Sequence, residues 1–123
     1  MLNMRALEEV IEKIKQYPQT LAIILFGSFA RGEAKEMSDA DIAVVIEKPD
    51  KHIEAEIGSM NSPFLDVVLF HRLPLHIQFE VLKYGKEVFC RDEKAFLEIK
   101  FKVLRDYLEM SPMYERFKKR ILL

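Results

Sequence analysis

Between Met4 and Tyr17, apolar residues fall at Leu7, Val10, Ile11 and Ile14, with charged residues filling most positions between them. That spacing lays one apolar stripe along a helix. Pro18 stops the helix, because proline has no N–H to donate and clashes with the preceding turn. The pattern then changes. Thr20 to Phe26 is a continuous β-rich apolar run, too short for a core helix and suited to a strand buried on both faces. Gly27-Ser28 breaks it, and Ser28 to Glu33 predicts a short helical turn with Gly32 near its end. Asp41 to Ile46 predicts a second strand closed by Lys48-Pro49-Asp50. Lys51 to Met60 predicts a helix ended by Gly58 or by Asn61-Ser62-Pro63, and Phe64 to Phe70 a third buried strand.

Further on, Leu75 to Tyr84 is helical in pattern, with Pro74 suited to a first-turn position. Gly85 then permits a short extended piece, Glu87 to Cys90. Asp92 is placed to cap a long helix running to about Met110, with Glu93 favourable in its first turn. Ser111-Pro112 interrupts that helix, and Met113 to Leu123 predicts a last basic helical segment. Strands alternating with helices indicate one sheet under helical cover. The expectation is a single α/β (α+β) domain over residues 1–123, a mixed sheet covered by helices, with C-terminal helices.

Composition narrows this picture only slightly. At 123 residues there is room for one core and hardly for two. The 19 basic and 20 acidic residues leave a net charge of −1, which gives no argument for nucleic acid. The longest apolar run, Leu21 to Phe26, is far short of a membrane span, and the first residues lack the apolar core of a secretory signal. A single cysteine, Cys90, cannot form an internal disulfide and suggests a reducing cytoplasm.

Chemistry concentrates in two short stretches. A glycine leaving a buried strand permits a tight turn and close approach by a ligand. If Ser28 opens a helical turn, free N–H groups and its hydroxyl can grip a phosphate there. Alone, Gly27-Ser28 is only a common loop dipeptide. Asp39 and Asp41, two apart on an extended segment, project to the same side. Their mutual repulsion is relieved by a divalent cation, and magnesium prefers such hard oxygen ligands, shared with substrate phosphates. Alone, this pair reads equally as a turn beside a solvated neighbour. Asp66 is the only polar residue in Phe64 to Phe70. A buried carboxylate without compensation costs several kcal/mol, on the order given for desolvated ions. Asp66 therefore needs a metal, an exposed strand end, or a salt bridge, with Arg72 or Lys83 as the candidates. Three carboxylates on two strands beside a phosphate turn form a coherent site for phosphoryl transfer.

These residues resemble the nucleotidyltransferase superfamily that includes DNA polymerase β. Its signature is Gly-Ser, ten intervening residues, then Asp-x-Asp, and Phe29 to Ser38 are those ten. Gly27 to Gly32 and Ser38 to Ile42 look like the form found in minimal nucleotidyltransferase (MNT) domains. The short chain, with its tail Val103 to Pro112, is similar to the MntA antitoxins paired with HEPN-domain toxins. The resemblance implies two Mg2+ ions, ATP as substrate, and transfer of AMP to a tyrosine of a HEPN RNase. It makes Gly27 and Ser28 triphosphate ligands, with Arg31 either a phosphate contact or a salt-bridging surface residue. Asp39, Asp41 and Asp66 become the metal-binding and catalytic carboxylates, Asp66 also the base. The alternatives are a non-catalytic module that neutralises a toxin by occlusion, and transfer to a small molecule or an RNA end.

Several other residues carry less. Pro74 between His71 and His76 disrupts the helical spacing a metal pair needs, and His52 lies on a charged helix. Cys90 follows Val88-Phe89 and reads as a small core residue. Phe96, Ile99, Val103 and Leu104 have core spacing, although Leu104 to Met110 would serve equally as an interface. The run Arg116 to Arg120 reads as a solvated basic face, or as a contact for an acidic partner or RNA.

Overall fold

The computed structural model describes residues 4–27, 40–110, 112, 116 and 119–121. Helix α1 (Met4–Lys15) buries Leu7, Ile11 and Ile14, the stripe that the sequence spacing predicts. Strands β1 (Thr20–Phe26), β2 (Ala40–Ile46), β3 (Leu65–Leu69) and β4 (Lys86–Cys90) form one sheet in the order β3-β2-β1-β4. β1 runs antiparallel to both β2 and β4, while β2 and β3 are parallel. A parallel pair needs a crossover, and α2 (Lys51–Gly58) supplies it. A single 3-10 turn, Phe70–Arg72, leads from β3 to α3 (Leu75–Tyr84), and α4 (Glu93–Met110) follows β4.

The sheet is covered on both faces, so its central strands read as unbroken apolar runs rather than alternating ones. Ile23, Leu25, Ile42 and Val44 pack with α1 and α2 residues such as Ile14 and Ile57. Ala22, Ile24, Ala43 and Val45 pack with Val81 of α3 and with Phe96 and Val103 of α4. Each fully buried Ile or Val contributes about 1.5–3 kcal/mol.

The helix ends have specific causes. Asp50 Oδ1 accepts from Ile53 N at 3.0 Å to open α2, and Asp92 Oδ1 accepts from Ala95 N at 3.1 Å to open α4. α2 closes at Gly58, with Ser59 as its cap. Pro74 sits at the N-cap of α3 rather than in its first turn. Gly85 closes α3 where a side chain would not fit: a Cβ there would stand 2.5 Å from Ile24 Cγ2 and against the Val81 carbonyl. One core expectation changes. Leu104 is 41% exposed, not core, because on α4 it faces away from Phe96 and Val103. The basic segment Met113 to Leu123 lies largely outside the described residues, of which 116 and 119–121 are helical. Among the described residues, no helix is long and apolar enough to cross a membrane.

Candidate active site

Gly27 leaves the end of β1 with φ of 81°, in the left-handed region that disfavours any residue with a Cβ. A second constraint acts at the same atom. A Cβ built on Gly27 would stand 2.5 Å from Asp41 Oδ2, well inside contact distance. Glycine is therefore required both by the turn and by the carboxylate folded over it.

Asp41 reaches that position because Phe26 and Asp41 are register partners across the antiparallel β1–β2 pair. On the other side of β2, Asp41 is the register partner of Asp66 in the parallel β2–β3 pair. Adjacent strands lie about 4.8 Å apart, so the two carboxylates leave the sheet side by side. Residues Ile42 and Val67 turn into the α1/α2 core, and Ala43 and Val68 into the α3/α4 core. By alternation, Asp41 and Asp66 share the α3/α4 face, at the end of the sheet where Gly27 lies. Ser28, Arg31 and Asp39 lie outside the described residues.

Asp66 is exposed and Asp41 half-buried, so of the alternatives the sequence left for Asp66 the exposed strand end holds. β3 is an edge strand and Asp66 is its second residue, so water reaches the carboxylate although the rest of the strand is apolar. Neither candidate salt-bridge partner is directed to it. Arg72 Nε pairs with Glu54 Oε1 at 2.9 Å, and Lys83 Nζ lies over the rings of Tyr84 and Phe79, at 5.1 and 5.9 Å from their centroids. At this end of the sheet two carboxylates stand in register, beside a strand exit that admits only glycine. Paired hard oxygen donors of this kind fit a divalent cation. Among the described residues no cluster of three such ligands occurs; the expected third carboxylate is Asp39.

Other titratable groups are engaged elsewhere. Glu54 receives Arg72 Nε and lies 2.6 Å from His71 Nε2. The Arg72 hydrogen bond, then that of His71, holds the Glu54 carboxyl below the usual carboxylate range. His52 pairs with Glu56 at 2.7 Å on the surface of α2. Burial, followed by the nearby Glu87 charge, pushes the Cys90 thiol up, which suits the small core residue expected from sequence. One residue at this end of the sheet was not singled out from sequence. Lys86 opens β4 opposite Leu25, two residues before Gly27, and its only signal was a basic residue following Gly85.

Residues 8–94 match the polymerase beta nucleotidyltransferase family, a span that contains Gly27, Asp41 and Asp66 together. The chain belongs to that family and is a nucleotidyltransferase. Among its relatives, the "Putative protein adenylyltransferase MJ1547" of Methanocaldococcus jannaschii is 29% identical over 101 residues, covering 82% of this chain and 69% of the relative. A crystal structure of a toxin-antitoxin with AMP-PNP superposes with a TM-score of 0.67 at 20% identity, covering 99% of this chain and 100% of that one. The complex of a tri-AMPylated Shewanella oneidensis HEPN toxin with its MNT antitoxin gives a TM-score of 0.62 at 18% identity, covering 97% of this chain and 95% of that one. At these identities the two structures establish the shared fold, a mixed sheet between helices.

Proposed function

We propose that this protein transfers AMP from ATP, with magnesium, to a tyrosine hydroxyl of a partner HEPN RNase, and so acts as its antitoxin. The observation that carries the reading is the alignment of Asp66, Asp41 and Gly27 across neighbouring strands. Support for the acceptor comes from the solved neighbours, one an antitoxin bound to an AMPylated HEPN toxin and another a toxin-antitoxin with AMP-PNP.

Gly27 and Ser28 bind the triphosphate in this scheme, and Arg31 contacts it. Asp39, Asp41 and Asp66 would hold the metal, two ions in the full complex. Magnesium bound there would neutralise the triphosphate and the charge that gathers on the departing pyrophosphate. Asp66, at the exposed rim, is open to an incoming hydroxyl. It accepts the hydroxyl proton as the acceptor oxygen attacks the α-phosphorus. The bond from that phosphorus to the bridging oxygen breaks, and pyrophosphate leaves with the electron pair. Gly27 keeps the strand exit low, so that phosphate oxygens can approach the backbone beside Asp41.

The test is incubation with α-labelled ATP, magnesium and a candidate HEPN-domain partner. Wild type is expected to add AMP to a tyrosine of that protein, read by label and by peptide mass. Asp66→Asn and Asp41→Asn are expected not to. Labelling by both variants at the wild-type rate would sink the mechanism. Full neutralisation of the RNase by variants that cannot label it would place the antitoxin effect in occlusion.

A further inference from the structure

The long helix α4 buries Phe96 and Val103 against the sheet, yet it also exposes a second apolar stripe. Leu97 (47%), Phe101 (60%), Leu104 (41%) and Leu108 (44%) are open to solvent. Their spacing is four, three, four, and at 100° per residue they fall within a sector of about 60°. This is the seam of a coiled coil, with Phe101 and Leu108 at a positions and Leu97 and Leu104 at d positions. A shallow groove of about 360 Å³ runs along it between Phe101, Leu104 and Leu108, a shape that can receive a knob from a facing helix. The four side chains serve neither core cluster, and the carboxylate site makes no use of them.

The flanking charges identify what fits. In this heptad frame Glu98 and Arg105 occupy e positions, and Glu93 and Lys100 occupy g positions. Against a second copy in parallel, g faces e of the partner helix. Glu93 would then face Glu98 of the other copy, and Lys100 would face Arg105, like charges in every pair. Against a second copy running antiparallel, e faces e. Centring the pair between Lys102 and Val103 sets Phe101 on Leu104 and Leu97 on Leu108 of the other copy. Glu98 then faces Arg105 twice, once on each side of the two-fold axis. Within one helix these two are seven residues apart, about 10.5 Å along the axis, so they can meet only between copies. The inner flank is already occupied: Tyr107 stacks on Phe79 with ring centroids 4.0 Å apart, and Lys100 reaches Glu87 at 3.5 Å. The outer flank, bearing Glu98 and Arg105, is the exposed side.

We infer that α4 is the interface of an antiparallel homodimer, sealed by Phe101–Leu104 contacts and oriented by reciprocal Glu98–Arg105 pairs. The site end of the sheet is left open in such a dimer, since the seam lies on the side of α4 turned from the sheet.

Sedimentation velocity on the full chain, from low to high micromolar, tests this directly. Wild type is expected to move from monomer to dimer across that range. Leu104→Glu is expected to stay monomeric with its circular dichroism unchanged, since the residue is already exposed. Glu98→Arg and Arg105→Glu, each replacing two attractive contacts with two repulsive ones, are expected to raise the dimer Kd roughly tenfold. The double variant carrying both changes is expected to return it to near the wild-type value, which no effect on folding alone would do. A wild-type monomer at every concentration overturns the proposal, even if the stripe then binds an added helical protein. So does a dimer that survives Leu104→Glu, or one whose single and double charge variants behave alike.

Discussion

Strand β3 has acidic side chains near both ends, in opposite electrostatic company. Beyond its C-terminal end, Glu54 of α2 meets Arg72 at 2.9 Å and His71 at 2.6 Å, and the charges cancel in place. Near its N-terminal end, Asp66 stands beside another carboxylate, Asp41. Like charges at strand spacing repel by about 1 kcal/mol even with full solvent screening. The first cluster is complete as built and serves to pin α2 to the turn after β3. The second sets two carboxylates side by side, an arrangement that a divalent cation would favour. The neighbours of a carboxylate, more than the carboxylate itself, separate a strut from a working site.

The widest gap between the two ends should appear in activity. Asp41→Asn and Asp66→Asn are each expected to lower AMP transfer by about a thousandfold or more, in the range of lost transition-state charge stabilisation. Their melting temperatures should stay near the wild-type value, because asparagine keeps the shape of aspartate. A loss of label accompanied by unfolding would break the contrast. Next in size is Gly27→Ala, expected to slow transfer by roughly 10- to 100-fold and to cost about 1–2 kcal/mol of stability from the left-handed turn. Thermal melts beside initial rates would separate those two effects.

Magnesium itself should distinguish the ends. At about ten times its Kd, a ligand that binds only the native state adds about 1.4 kcal/mol, or roughly 5 °C for a chain of this size. That shift is expected in wild type and in Glu54→Gln, and is expected to vanish in Asp41→Asn. The smallest effect is confined to acid. The Glu54 carboxyl sits below its ordinary value of 4.5 in the folded protein. Its stabilisation is therefore fully present above about pH 4.5 and is lost as pH falls through the lowered value. Denaturant titrations of wild type and Glu54→Gln should differ near neutrality and converge in acid, with labelling rates equal throughout. A constant gap at all pH values would mean that Glu54 acts through packing instead.

Much of the fold was legible in the chain. Thr20 to Phe26 could only be a strand, because six consecutive apolar residues lacking helical length need cover on both faces, and α1 announced itself by one clean stripe. Leu104 was not legible in the same way. Helical spacing lists the apolar positions of α4 without saying that they form two stripes, one for the sheet and one for water. At the site, Gly27 and Asp41 were marked by type and spacing. The reason Gly27 must be glycine, an aspartate folded over its Cα, lies in the pairing of β1 with β2 and has no local trace. Asp66 was marked by its apolar surroundings with burial, partner or exposed strand end left open, and it is exposed near the start of edge strand β3. Strand order leaves no local trace in a sequence. The Glu54–Arg72 pair joins residues 18 apart through a turn and had no local signature either.

The connection from β2 through α2 to β3 also bears on how the protein comes into being. Asp41 and Asp66 are register partners separated by 25 residues of chain, and Gly27 precedes Asp41 by 14. The pairing of β1 with β4 must instead wait for Cys90 to meet Ala22. Closing a short loop costs less entropy than closing a long one, and contacts close in sequence form early. On a ribosome, the strands that carry the carboxylates have emerged before β4 and α4 exist. The end of the sheet that carries Gly27, Asp41 and Asp66 is thus the part assembled first, and the long helix α4 is fastened on last.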